Sequence, residues 1–224
     1  ELMGHVTVVG GCRATKPSAD ILLGNIAEGQ VVKINENGTP TEFYVAKHNY
    51  EPTLNGTGRT CLIRKLLYDY RQWNNTAVNT YANSSIDVWL NGPYKDLLDS
   101  TARGLIGTTK FYFTPGNANM TVRTLERAVF LASIAELGTS PTYANVEGSA
   151  FAMGGLIPAT INGNAENQWT RSPDISDTAN ACIGSFLGGG GILEVIRTDQ
   201  GCSRPCFTLP STAKFDRRTL LLVG

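Results

Sequence analysis

Histidine is nearly absent from this sequence: His5 and His48 are the only two in 224 residues. General acid–base catalysis runs most often through that side chain. His48 closes the run FYVAKH beside Asn49, where a structural hydrogen bond is the simpler reading, and His5 lies in the first few residues. No GxSxG, HExxH, Walker loop or dinucleotide fingerprint occurs. The carboxylates Asp96 and Asp99 fall on an expected helix surface and read as solvated. The expectation is a protein that is not an enzyme, with no catalytic residue and no cofactor.

Charge of one sign is missing too. Nineteen basic residues balance nineteen acidic ones, and no lysine or arginine stripe is present to follow a phosphate backbone, so nucleic acid is not an expected partner. The apolar run TLLLVG is too short to span a bilayer, which leaves no membrane insertion. The chain opens Glu-Leu-Met-Gly-His without an initiator methionine or a signal-peptide pattern, as a fragment or cleavage product would. Five cysteines (Cys12, Cys61, Cys182, Cys202 and Cys206) show no CxxC and no zinc spacing. Cys202 and Cys206 are placed in one expected strand, roughly 13 Å apart at about 3.3 Å per residue, so packed free thiols are expected.

What is present suits a folded chain: 42% hydrophobic and 17% charged residues. Residues 1–20 fit poorly with the rest and read as an arm or linker. The body, 21–212, opens with two β-rich runs, QVVKI and TEFYVAKH, around Asn37-Gly38, a pair that supplies the positive φ angles of a tight hairpin. TCLIRKLLY follows as a strand. Ser84 and Asp87 have capping-box spacing ahead of Ile86, Trp89 and Leu90. NGP closes that helix and starts another at Pro93, and STARGLIG reads as a further short helix. Strands return in TKFYFTP and ERAVFLA. Ser133 and Glu136 form a second capping box, with Gly138 placed to end its helix. Glycine and asparagine dominate from Glu147 onward. Residues 213–224 read as a tail. The order is hairpin, short helices, then loop-rich β structure, which is α+β without βαβ alternation.

The runs VVKINENGTPTEFYVAKHNY, RKLLYDYRQWNN, YANSSIDVWLNGPYKDLLD, LERAVFLASIAELG, NQWTRSP and GCSRPCFTLP, in this order, resemble a domain family common in gut bacteriophages and their prophages. The resemblance covers roughly residues 21 to 212. It implies a C-type-lectin-like fold, with short helices, antiparallel strands and a loop-rich C-terminal half. It is similar as well to the variable proteins of diversity-generating retroelements, whose varied positions lie between a Trp-x-Arg-Ser-Pro and an Arg-Pro motif. The implied role is a non-enzymatic virion protein, a tail or head fibre or adhesin. Its partners would be a host cell-surface protein or glycan, other virion proteins, or further copies of itself. The implied location is the virion, or else a bacterial surface displaying a prophage product. The alternative is a structural or decorating capsid or tail protein that contacts other virion subunits. Sugar-binding lectins of this fold use calcium at Glu-Pro-Asn and Trp-Asn-Asp stretches, but YEPT and QWNN stand in neither place, so no metal is expected. Formylglycine-generating oxidases share the fold and hold copper on two late cysteines, which the expected separation of Cys202 and Cys206 opposes.

The two motifs bracket a pliable segment. Trp169, Arg171 and Pro173 stand before it; Arg204, Pro205 and Phe207 stand after it. Tryptophan buries a large area and needs one partner for its N–H. Arginine's rigid fork suits loop carbonyls, and proline stiffens the chain where a loop departs. These six are expected to be framework. Between them, Asp174, Ser176, Asp177, Thr178 and Asn180 form a polar run able to meet a ligand. Gly188 to Gly191 are expected to form the tip of a hairpin whose Phe186, Glu194 and Arg197, with Asp199 beyond, complete the candidate binding set. Aromatics and arginine are enriched among binding hot spots.

Overall fold

A computed structural model describes residues 20–76, 78–139, 142–153, 159–185, 191–196 and 200–224, with residues 185, 191–196 and 200 described by their backbone. The expected arm up to Ala19, and with it Cys12 and His5, lies outside the described residues. So do Phe186, Arg197 and Asp199.

Strand β1 (Asp20–Leu22) leads through a single 3-10 turn to β2 (Val31–Glu36) and β3 (Thr39–Lys47). In β2, Val32, Ile34 and Glu36 point inward alternately. Asn37 (φ 51°) and Gly38 (φ 75°) make the expected tight turn, with Glu36 paired to Thr39. The short helix α1 (Pro52–Asn55) precedes β4 (Arg59–Arg64), and β5 (Tyr70–Gln72) follows.

Helix α2 (Ser85–Trp89) begins where Ser84 Oγ accepts the Asp87 N–H at 3.3 Å, while Asp87 Oδ2 accepts the Asn83 N–H at 2.8 Å. The helix does not close at NGP. It widens into a π-turn over Leu90–Tyr94 that contains Pro93 and runs on into α3 (Lys95–Leu97). A proline lacks the N–H and crowds the carbonyl four residues back, and a wider turn relieves both faults. Leu90 and Tyr94 thereby keep their places in the core. Asp99 caps α4 (Ser100–Leu105).

Strand β6 (Thr109–Phe113) pairs with β7 (Arg123–Arg127), and β8 (Val129–Leu131) follows. The second capping box is reciprocal, Ser133 N to Glu136 Oε2 at 3.0 Å and Glu136 N to Ser133 Oγ at 3.1 Å. It shapes one turn, ended at Gly138 (φ 76°), and not a helix. The loop-rich stretch carries the two-residue strands β9 (Thr160–Ile161) and β10 (Asn164–Ala165). Strands β11 (Gln168–Pro173), β12 (Asn180–Ser185), β13 (Gly191–Ile196), β14 (Gln200–Cys202), β15 (Pro205–Pro210) and β16 (Lys214–Asp216) complete the order.

Two five-stranded sheets result, one ordered β2-β3-β4-β15-β8 and the other β13-β12-β11-β14-β5. Among the described residues the strand pairs are antiparallel except β11 with β14, and an isolated parallel bridge joins Lys33 to Leu221. The expected hairpin joins β12 and β13, with Ser185 opposite Gly191. Residues 213–224, read from sequence as a tail, are woven into the body: β16 pairs with β1, Leu222 is buried, and its N–H meets the Lys33 carbonyl at 2.9 Å. The architecture is α+β, with few short helices on mixed sheets.

The largest apolar cluster among the described residues is built on Val32, Phe43, Leu62, Trp73, Phe111, Phe130, Trp169 and Phe207 among others, with small separate clusters around Leu67 and Ile134. The edge of β8 is closed by a side chain instead of a strand. Asn91 accepts the N–H groups of Ala128 and Val129 and donates to the Val129 carbonyl at 2.9 Å.

Candidate functional site: a loop held above two arginine staples

The two bracketing arginines sit where the sheets meet. Arg171, on β11, is wholly buried. Its guanidinium forms a bidentate pair with Glu136 (2.6 and 2.9 Å) and donates to the carbonyls of Tyr112, Leu131 and Glu147. Those partners lie on β6, at the end of β8 and in the loop before β9, so one side chain ties β11 to three other parts of the chain. Glu136 also accepts the Tyr50 hydroxyl at 2.5 Å. Burial lowers the affinity of the Arg171 guanidinium for its proton, but the Glu136 carboxylate opposes this strongly, and the net result is a pKa well above the ordinary arginine value. Beside it, Glu147 accepts from Thr114 N (2.6 Å) and Ser172 Oγ (2.6 Å), and burial raises its pKa.

Arg204 occupies the crossing from β14 to β15, where the chain leaves one sheet for the other. Its Nε donates to the Arg64 carbonyl at 2.8 Å and Nη2 to the Lys65 carbonyl at 3.1 Å, while Nη1 reaches Gln168 Oε1 at 3.2 Å. Arg204 thus fastens the end of β4 to the start of β11. This crossing corrects the expectation that Cys202 and Cys206 share a strand: Cys202 ends β14 and Cys206 lies in β15, in the other sheet. Cys61, Cys182, Cys202 and Cys206 are buried free thiols. Burial pushes the Cys61 thiol well up and Cys202 up to about 12, so both stay protonated and poorly reactive at neutral pH.

The remaining framework residues pack as their types require. The Trp169 indole N–H donates to the Arg71 carbonyl (2.8 Å), and that of Trp73 donates to the Thr170 carbonyl (2.7 Å). Gly201 lies against Trp169, where a Cβ would come within 2.8 Å of the indole ring. Pro173 and Pro205 are buried, and Phe207 meets Phe43 edge-on at 5.3 Å between centroids. His48 has both ring nitrogens engaged: Nε2 donates to the Ile26 carbonyl (3.0 Å), and Nδ1 lies 2.9 Å from Thr60 Oγ1.

On this frame stands the loop between β11 and β12. Ser176, Asp177 and Thr178 are exposed, and Asn180 is half-buried. Asp174, expected on the ligand-facing side, is instead fully buried. Its Oδ1 accepts from Ser176 N (2.7 Å), Ser176 Oγ (2.8 Å) and Asp177 N (3.3 Å), which is how an aspartate replaces missing ladder partners at a turn. Asp177 repeats the device one step on, accepting from Ala179 N and Asn180 Nδ2. Two acceptors at the loop's base, Asp174 Oδ2 and Asn180 Oδ1, are buried and meet no donor among the described residues.

A residue without any sequence signal holds the loop from below. Asn79 is fully buried, and its Nδ2 lies 2.9–3.0 Å from the carbonyls of Asp174, Asp177 and Asn180. Its Oδ1 accepts the Asn117 N–H at 2.7 Å. The loop's exposed face also gains two apolar members: Ile175, whose N–H bonds the Tyr143 carbonyl at 2.9 Å, and Tyr143 itself. Glu194 lies in β13 opposite Cys182. Among the described residues no group of three or more His, Cys, Asp or Glu is arranged to hold a metal, and no helix is long and apolar enough to cross a membrane.

A family model for a domain of unknown function, DUF6273, matches residues 57–211. The chain belongs to this family. The matched stretch of the DUF6273 chain takes in β4 through β15, and therefore both arginine staples, Asn79 and the loop. No curated protein and no solved structure gives a match. Around the DUF6273 loop, the exposed groups are hydroxyls, a carboxylate, an isoleucine and a tyrosine, which can recognise a surface by contact and hydrogen bonding.

Proposed function

We propose that this DUF6273 chain is a non-enzymatic binding domain of a bacteriophage particle, with a C-type-lectin-like fold. It would attach to a host cell-surface protein or glycan through the face formed by Ser176, Asp177, Thr178 and Asn180 with Tyr143 and Ile175. One observation carries the reading. The loop's backbone is fixed by Asn79 and Asp174 from beneath, the side chains of Ser176, Asp177 and Asn180 bond only within residues 174–180, and those of Ile175 and Thr178 make no hydrogen bond among the described residues. Such a loop can change its side chains at little cost to the frame, as retroelement diversification would require. The phage setting and the lectin-like fold rest on the ordered motif resemblance, and the short helices with antiparallel strands agree with it.

The test is adsorption to cells. Beads carrying the protein are presented to a panel of gut bacteria, and variants exchanged at Ser176, Thr178 and Ile175 are compared with the parent. The reading expects binding to shift between strains while the melting temperature stays within a few degrees. Unchanged binding by every variant overturns it.

A second reading, a decorating capsid or tail protein, is favoured by Leu66, Tyr70 and Val88, large apolar side chains exposed by 45–60%. Co-sedimentation with purified particles of a Leu66→Ser/Val88→Ser variant tests it; loss of particle binding with host-cell binding retained supports it.

A further inference from the structure

A groove of about 320 Å³ lies away from the loop, lined by Glu51, Tyr112, Val122, Val146, Gly148 and Ser149. Three features distinguish it from an ordinary surface dimple. Glu51 is 94% buried at its floor and has a left-handed backbone (φ 44°, ψ 67°), a costly conformation for a side chain of this type. Gly148 (φ 100°) leaves the floor clear; a Cβ there would lie 3.1 Å from both Glu51 Oε1 and Glu136 Oε1. The walls are apolar, and Val146 is 64% exposed.

The hydrogen bonds decide what the groove can accept. Lys47 Nζ has three protons and three acceptors: Glu51 Oε1 at 3.1 Å, the Ser149 carbonyl at 3.4 Å and Ser149 Oγ at close range. Ser149 directs its N–H (3.4 Å) and its hydroxyl (3.5 Å) to Glu51 Oε1 as well. Three of these contacts converge on one carboxylate oxygen, Glu51 Oε1. Glu51 Oε2 takes no hydrogen bond from the described residues and is not sealed from solvent. The groove therefore offers a free acceptor and no free ammonium proton. Ser149 beside Lys47 is not a nucleophile–base pair, because an ammonium held by a carboxylate has no lone pair to take the hydroxyl proton.

We propose that this groove binds an alkylammonium group, a primary amine on a short apolar stem. Glu51 Oε2 accepts the ammonium, and Val122, Val146 and the Tyr112 ring hold the stem. Free amines and lysine side chains share this chemistry. The proposal stands apart from the loop and does not depend on its role.

The test is an NMR titration of the intact chain with n-butylammonium, n-butanol and butyrate. Saturable binding of n-butylammonium at millimolar concentration is expected, with butanol and butyrate at least tenfold weaker. Glu51→Gln is expected to weaken n-butylammonium about tenfold or more, the loss of one charge-assisted hydrogen bond. Because Glu51 also holds Lys47, a second variant, Val146→Trp, fills the groove from an exposed position and is expected to abolish binding with the melting temperature unchanged. Nα-acetyl-lysine methylamide binding more tightly than n-butylammonium assigns the site to a lysine side chain of a protein; equal binding assigns it to free amines. Absence of saturable binding, equal binding of n-butanol, or full binding by Val146→Trp overturns the proposal.

Discussion

The side-chain amide of Asn79 donates to the carbonyl of Asp174 at 3.0 Å, across 95 residues of chain, and reaches the carbonyls of Asp177 and Asn180 from the same nitrogen. Asn79→Ala leaves those carbonyls without this donor, and the Asn117 N–H without its acceptor. A loss of about 1–3 kcal/mol is expected in urea unfolding. Faster hydrogen exchange is expected at the amides of Asp174, Asp177 and Asn180, with β2 and β3 unaffected. Uniform exchange changes would mean that Asn79 supports the core and not the loop.

Arg171 and Glu136 are both fully buried, so removing one strands the other. Arg171→Met is expected to cost about 3–5 kcal/mol. Pairing it with Glu136→Gln should recover part of that, because the orphaned charge is gone. Additive losses in the double variant would show that the two side chains act independently.

Glu147 gives the pH prediction. Burial raises its folded pKa above the ordinary carboxyl value of about 4.3. Its contribution is then fully present below the unfolded pKa and is lost as pH rises through the folded one, because the unfolded chain ionises more readily there. Glutamine can still accept from Thr114 N and meet Ser172 Oγ. Glu147→Gln is expected to be at least as stable as the parent at pH 7, with the difference closing as pH falls below the carboxyl range. A variant that is less stable at pH 7 and recovers in acid would reverse this assignment.

Gly201 has no room for a methyl group under Trp169. Gly201→Ala is expected to cost about 1–3 kcal/mol through overpacking and to shift tryptophan emission, since Trp169 must move off the Arg71 carbonyl. Unchanged emission at unchanged stability would mean that the backbone yields there instead.

Much of the frame was legible because its residues carry strong local preferences. Asn37-Gly38 marks a tight turn, and Trp169, Arg171 and Arg204 are too large and polar to be buried without dedicated partners. Their partners were not legible: Glu136 and Glu147 are ordinary acidic residues 35 and 24 positions from Arg171. Glu136 announced itself only through its capping box with Ser133, which then shaped a turn and not a helix. Pro93 read as a helix start because a proline inside a helix is costly, and a π-turn is not signalled by sequence pattern. Asp174 looked like a ligand contact for the same reason that it became a turn cap, since a short carboxylate bonds nearby backbone as readily as a partner. Tyr143 and Ile175 were missed because a lone apolar residue in a polar stretch looks like any surface residue.

The central claim is that the outward side chains of Ile175 and Thr178 on the β11–β12 loop are energetically uncoupled from the frame that holds them. Urea unfolding of variants combining changes of size and charge at Ile175 and Thr178 measures this directly. The account predicts unfolding free energies within about 1 kcal/mol of the parent for every combination; losses above about 3 kcal/mol, the scale of a broken buried pair, would contradict it.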